Sequence, residues 1–202
     1  MDLFIRLLLY ANEFSIEGLI ISSSQWHYKG DGKGTKFISK MEMTKNLYGE
    51  RTELRWPGEQ WIYNLVDAYG KVHSNLKLHS TDYPTADHLR SLIRIGNIDF
   101  EGEMEKNTEG SDFIKAKLLD DDMTPLYLQV WGGTNTIARA LKSIEEEYIY
   151  SPNKRSFVYT ITEKLGLTKQ YKKNGFNGYF CGMKVQKIST LIKVKKLLKF
   201  IT

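Results

Sequence analysis

The chain has 202 residues, with 29 Lys and Arg against 24 Asp and Glu, a formal net charge of +5, and 41% hydrophobic residues. That length buries a core in one medium domain or one domain with an appendage, and its single cysteine, Cys181, excludes an internal disulfide framework and a multi-cysteine zinc site. The charge is unevenly placed: residues 1–150 hold about 17 basic against 23 acidic side chains and residues 151–202 about 12 against 1, so a patterned acidic domain precedes a basic tail.

Apolar residues at Leu3, Phe4, Leu7, Leu8 and Ala11 recur at helical spacing, and Asn12-Glu13 breaks it, which predicts a helix from the first residue. The apolar stretch 3–10 is far too short for a membrane span and no small-residue cleavage site follows. The chain as written therefore reads as soluble, with no membrane partner and no export signal, and its compartment stays open.

The run Ile16-Glu17-Gly18-Leu19-Ile20-Ile21-Ser22 is short, β-branched and apolar, as a buried strand of a parallel sheet would be. Residues 24–57 then lack clear periodicity and predict a long, site-building loop. Within it, Lys29-Gly30-Asp31-Gly32-Lys33-Gly34-Thr35 invites a phosphate-loop reading, but its alternating glycines miss the Gly-x-x-x-x-Gly-Lys-Ser/Thr spacing and no clear helix follows. A glycine-hinged flap over a pocket is the better reading.

Helical spacing returns over 58–72 through Trp61, Ile62, Leu65, Val66 and Tyr69. Pro84 opens a second helix through Leu89, Leu92 and Ile93, and Glu109-Gly110-Ser111-Asp112 leads into a third to Leu119. Asp120-Asp121-Asp122 is a solvated turn, since three consecutive carboxylates diverge rather than cage a cation. Residues 125–131 read as a second buried strand, turning through Gly132-Gly133-Thr134-Asn135-Thr136 into a helix over 137–148. Two strand–loop–helix units predict a Rossmann-like α/β domain, whose ligands gather at the carboxyl ends of its strands, near residues 24–27 and 131–135.

Gln25, Trp26 and His27 stand just past the first strand, where polar groups meet a ligand and an aromatic ring stacks on a sugar or base. His73, His79 and His88 show no metal-ligand spacing. In the tail, Lys172-Lys173 and the lysines at 193, 195, 196 and 199 interleave with Tyr171, Phe176, Tyr179 and Phe180. A basic partner-binding arm is one reading of residues 151–202; a non-native, disordered or merely solvated stretch is the preferred one, because motif-free charge runs are weak signals. Nucleic acid is not the expected partner.

Several strings, taken together, resemble a known family. They are Arg6-Leu7-Leu8-Leu9-Tyr10-Ala11-Asn12-Glu13-Phe14 followed by Ile16-Glu17-Gly18-Leu19-Ile20, Ser24-Gln25-Trp26-His27-Tyr28-Lys29-Gly30-Asp31-Gly32-Lys33-Gly34-Thr35, Ala68-Tyr69-Gly70-Lys71-Val72, Asp82-Tyr83-Pro84, Gly110-Ser111-Asp112 and Trp131-Gly132-Gly133-Thr134-Asn135-Thr136-Ile137-Ala138-Arg139-Ala140-Leu141. Collinear over about residues 3–148, the set resembles the nucleoside hydrolase-like domain of proteins described as cellulose-binding, related to the inosine-uridine nucleoside hydrolases. The resemblance implies a three-layer α/β fold and hydrolysis of an N-glycosyl or related glycosidic bond, with calcium held by a carboxylate cluster and a nucleoside or carbohydrate as ligand.

It also implies that the Asp-rich strand and turn supplying those carboxylates lie upstream of Met1. The central first strand is then missing, and this chain alone is expected to be inactive and marginally stable. Of the metal ligands, only the backbone carbonyl of Trp131 is left. Gln25, His27 and Asn135 are the implied pocket residues, with Trp26 as a stacking surface. A non-catalytic carbohydrate-binding module using Trp26, Trp56 and Trp61 is the alternative.

Overall fold

The computed structural model describes residues 2–148 and residue 164, which fall into two compact units, Met1–Glu101 and Gly102–Thr202. The basic tail, Lys164 apart, lies outside the described residues.

In the first unit, α1 (Asp2–Leu9) buries Phe4 and Leu8, one helical turn apart, and a 3-10 turn (Ala11–Glu13) ends it where Asn12-Glu13 breaks the apolar spacing. The strand β1 (Leu19–Ile21) follows, with Leu19 and Ile21 buried. α3 (Gln60–Leu76) buries Ile62, Val66 and Tyr69, at the spacing of one helical face, and α4 (Ala86–Ser91) buries Leu89. These residues, with Ile93 and Ile98, make one hydrophobic core. The Tyr69 hydroxyl donates to the Pro84 carbonyl at 2.7 Å, and burial pushes that phenol up to about 12.

The run after α4 corrects the expected helix through Ile93. Ile93–Ile95 is a strand, β4, parallel to β1 in the register Leu19↔Ile93, Ile20↔Arg94 and Ile21↔Ile95. Ile93 continues the helical apolar spacing of Leu89 and Leu92, yet the Leu92 carbonyl accepts from Leu19 N at 3.0 Å, so the sheet takes the chain one residue after the helix ends. The ladder continues past both strands through Gly96 N to Ile21 O at 2.8 Å, Ser23 N to Asn97 O at 2.9 Å and Lys29 N to Ile98 O at 2.9 Å. β1 and β4 with α3 and α4 between them form a βαβ unit, as the apolar strand predicts.

The region expected as one long loop is partly ordered into short elements. Phe37–Ile38 (β2) pairs antiparallel with Glu50–Arg51 (β3), and α2 (Glu42–Tyr48) bridges them. Two-residue strands carry no readable alternation, which is why the spacing missed them. Tyr28, Phe37 and Phe100 pack ring to ring, with Phe37 stacked on Phe100 at 5.1 Å, and anchor the insertion.

In the second unit, α5 (Glu109–Leu119) opens with a reciprocal capping box. Ser111 N donates to Thr108 Oγ1 at 3.2 Å and Thr108 N to Ser111 Oγ at 2.8 Å. α6 (Asn135–Tyr148) contributes buried Ala138, Ala140 and Ile144. Its Arg139, also buried, donates to the Met104 and Glu105 carbonyls at 3.3 Å, to Ser143 Oγ at 3.0 Å and to Glu146, fastening the helix to the strand of chain before α5.

Residues 125–131 are not the buried strand the apolar run predicts. The stretch has no strand assignment, Tyr127 is 78% exposed, and Leu126, Leu128 and Val130 are only half-buried. The alternation of an extended chain is present, and among the described residues its backbone bond to another segment is Leu126 N to Lys164 O at 2.8 Å. Among the described residues it meets no ladder partner, and an apolar run needs one to become a sheet strand.

Candidate functional site

Past β1, the chain makes a two-residue hairpin. Ser24 N donates to His27 O at 2.8 Å and His27 N to Ser24 O at 3.3 Å, which leaves Gln25 and Trp26 at the tip. The Ser24 hydroxyl accepts from Trp26 N at 3.2 Å and steadies the turn. Tyr28 then pairs with Leu54 through two backbone bonds of 3.0 and 2.9 Å, which brings the segment after β3 beside the hairpin.

This pairing assembles a cluster that no local motif announces. The Trp26 ring stands edge-on to Tyr48 with centroids 6.4 Å apart, and Arg55 Nη1 donates to Tyr48 Oη at 3.3 Å. Gly49 (φ 62), just past α2, and Arg55 (φ 45) are both left-handed, and they bracket β3. Burial, and then the neighbouring Arg55 charge, lower the His27 pKa below its ordinary 6.5, so the imidazole is neutral around neutral pH. Two aromatic rings beside a guanidinium and an imidazole can hold a flat, hydroxylated ligand by stacking and hydrogen bonding. Gln25, Trp26 and His27 stand together on the hairpin, and Tyr48 and Arg55 are neighbours that sequence reasoning missed. The glycine after Tyr48 marks a helix end, but nothing in the sequence signals Arg55.

The other aromatics proposed for a binding face serve the core. Trp56 and Trp61 are half-buried against it, and Trp61 meets Phe4 edge-on at 5.6 Å. The Lys29–Thr35 loop is closed on itself: Asp31 accepts from Lys33 N at 2.9 Å and from Thr35 Oγ1 at 2.5 Å. Those bonds, the Thr35 one first, hold the Asp31 carboxyl below the usual carboxylate range. Backbone groups that would face a phosphate already face this carboxylate. His73 Nε2 lies 3.2 Å from the Tyr83 carbonyl, while His79 and His88 are exposed.

Trp131 and Asn135 belong to the second unit. Asn135 is buried on the first turn of α6, and Trp131 is exposed on the segment leading to it. Calcium requires several convergent oxygen donors. Among the described residues no group of three or more His, Cys, Asp or Glu side chains can hold a metal ion, so these residues do not fit that ion. No helix among them is long and apolar enough to cross a membrane.

Comparison with known proteins places this geometry in context. A solved structure of a nucleoside hydrolase-related hypothetical protein from Saccharophagus degradans, associated with carbohydrate metabolism, superposes with a TM-score of 0.57 at 24% identity. The alignment covers 80% of this chain and 32% of that one, so the chain spans about a third of its length, and the likeness establishes the α/β fold. No curated protein matches the chain. The family described as cellulose-binding Sde182, nucleoside hydrolase-like domain, matches residues 1–191, including most of the basic stretch, and the chain belongs to that family.

Proposed function

We propose that this chain is the carbohydrate-recognising part of a nucleoside hydrolase-like protein, with the Trp26–Tyr48 ledge as its sugar contact. The observation that carries the reading is the Trp26 ring at the tip of the hairpin set edge-on to Tyr48 at the end of α2, with Gln25, His27 and Arg55 as polar neighbours. A sugar offers an apolar face to an aromatic plane and hydroxyls to the groups around it. The family's description supports a glycan ligand. Binding of cello-oligosaccharides by titration calorimetry tests it: Trp26→Ala is expected to weaken binding about 5–10-fold, the loss of roughly one aromatic contact. Unchanged affinity in Trp26→Ala would overturn the reading.

A second reading follows from the length of the related structure, of which this chain spans about a third. In it, a longer protein hydrolyses an N-glycosyl or related bond, with Asn135 and the Trp131 carbonyl lining its pocket. Calcium-dependent release of base or sugar by the longer protein supports this reading, and calcium-independent retention on cellulose without turnover counts against it.

A further inference from the structure

We propose that Arg55 makes the ledge selective for acidic glycans, chains bearing uronate carboxylates, over neutral ones. The inference rests on the ledge reading and goes beyond it to the chemical class of the ligand.

Three observations lead there. The Arg55 backbone is left-handed at φ 45, the only non-glycine residue with positive φ among those described. Such a conformation costs a non-glycine residue free energy and persists where the surroundings impose it, a pattern that concentrates at binding sites. The side chain is oriented by its bond to Tyr48 Oη, the ring that faces Trp26, so the cation is fixed at the aromatic surface rather than free to roam. Finally, Arg55 is exposed and makes no ion pair among the described residues, whereas Glu59 pairs with Lys29 at 2.7 Å and Glu50 with Lys36 at 3.7 Å.

A guanidinium held beside a stacking surface and left without a carboxylate matches a sugar that carries its own. A planar carboxylate takes two parallel N–H donors from arginine, which a hydroxymethyl group cannot do. A neutral glucan would stack on Trp26 equally well and leave the charge unanswered.

The test compares oligogalacturonate with a neutral cello-oligosaccharide of equal length at low ionic strength, by titration calorimetry on the full chain. The wild type is expected to bind the acidic oligomer about tenfold or more tightly, because one charge-assisted pair is gained. Arg55→Gln is expected to abolish that preference, so that the two oligomers bind alike. Arg55→Asn, which tolerates the left-handed backbone, should do the same and guards against a folding defect. Trp26→Ala should weaken both ligands. Equal binding of the two oligomers by the wild type, or a preference that survives Arg55→Gln and Arg55→Asn, overturns the acidic-glycan inference and leaves the ledge. Affinities that Trp26→Ala does not change, or binding of neither oligomer, overturn the ledge and the inference with it.

Discussion

The α-carbon of Gly30 faces the carbonyl of Thr52 so closely that a Cβ on residue 30 would lie 2.1 Å from that oxygen. Gly30 also has φ 82, and its N–H donates to Asp99 O at 2.7 Å, so the position is fixed from two sides. Gly30→Ala is therefore expected to destabilise the first unit by roughly 2–4 kcal/mol, from steric overlap added to left-handed strain. Gly32→Ala, whose Cβ would meet nothing within 4 Å, is expected to cost only about 1–2 kcal/mol for its φ of 70. Urea denaturation followed by tryptophan fluorescence separates the two, and equal costs would refute the close contact.

Arg55 predicts the opposite sign. Replacing it by glycine relieves a left-handed backbone without emptying the core, since the side chain is exposed. Arg55→Gly is expected to raise stability by about 0.5–1 kcal/mol, the strain relieved less the entropy that glycine adds to the unfolded chain. The same variant should lose any preference for acidic glycans. A thermal midpoint that falls would show that the bond to Tyr48 outweighs the strain.

In the second unit, Lys164 reaches the end of α5 from far along the chain. Its buried ammonium donates to the Lys117 carbonyl at 3.0 Å, to the Asp120 carbonyl at 2.5 Å and to the Asp120 carboxylate, closing a helix end whose carbonyls lack partners within the helix. Lys164→Met keeps the aliphatic stem and removes the donors, at an expected cost of about 1–3 kcal/mol. The bond from Lys164 is the first cause holding the Asp120 carboxyl below its ordinary 3.8. Its contribution to stability is complete above that value and fades as pH falls through the lowered pKa. In Lys164→Met the Asp120 carboxyl resonance should titrate at higher pH, and an unmoved titration would show that the pair does not form in solution.

How far the sequence led depends on how long each pattern runs. Ile62, Val66 and Tyr69 recur over enough turns of α3 for periodicity to decide, and the capping pair Thr108 and Ser111 sits beside the Gly110-Ser111-Asp112 string that marked α5. Three-residue β4 does not, because Ile93 falls in step with Leu89 and Leu92 before the sheet claims it. Residues 125–131 mislead in the other direction: apolar content signals a strand, but among the described residues no neighbouring strand bonds it. The site divides in the same way. Trp26 follows from its place at a strand end, whereas Tyr48 and Arg55 reach it through the Tyr28–Leu54 pairing, a tertiary contact with no sequence signature.

His27 gives the site a pH signature in the stability of the fold. Burial and the Arg55 charge lower its folded pKa below 6.5, so the unfolded chain takes up a proton more readily than the folded one. Stability is then full above about pH 6.5 and declines as pH falls from there to the lowered pKa, below which this contribution levels off. His27→Gln removes the titrating group and should flatten that part of the profile while leaving the acid-side loss from Asp31 and Asp120, whose pKa values lie below 3.8. Arg55→Gln removes the second cause alone and should narrow the window without closing it, since burial remains. Urea midpoints of the three proteins measured from roughly pH 5 to roughly pH 8 check the order. A wild-type slope that survives His27→Gln would assign the titration to another group and remove His27 from the electrostatics of the ledge.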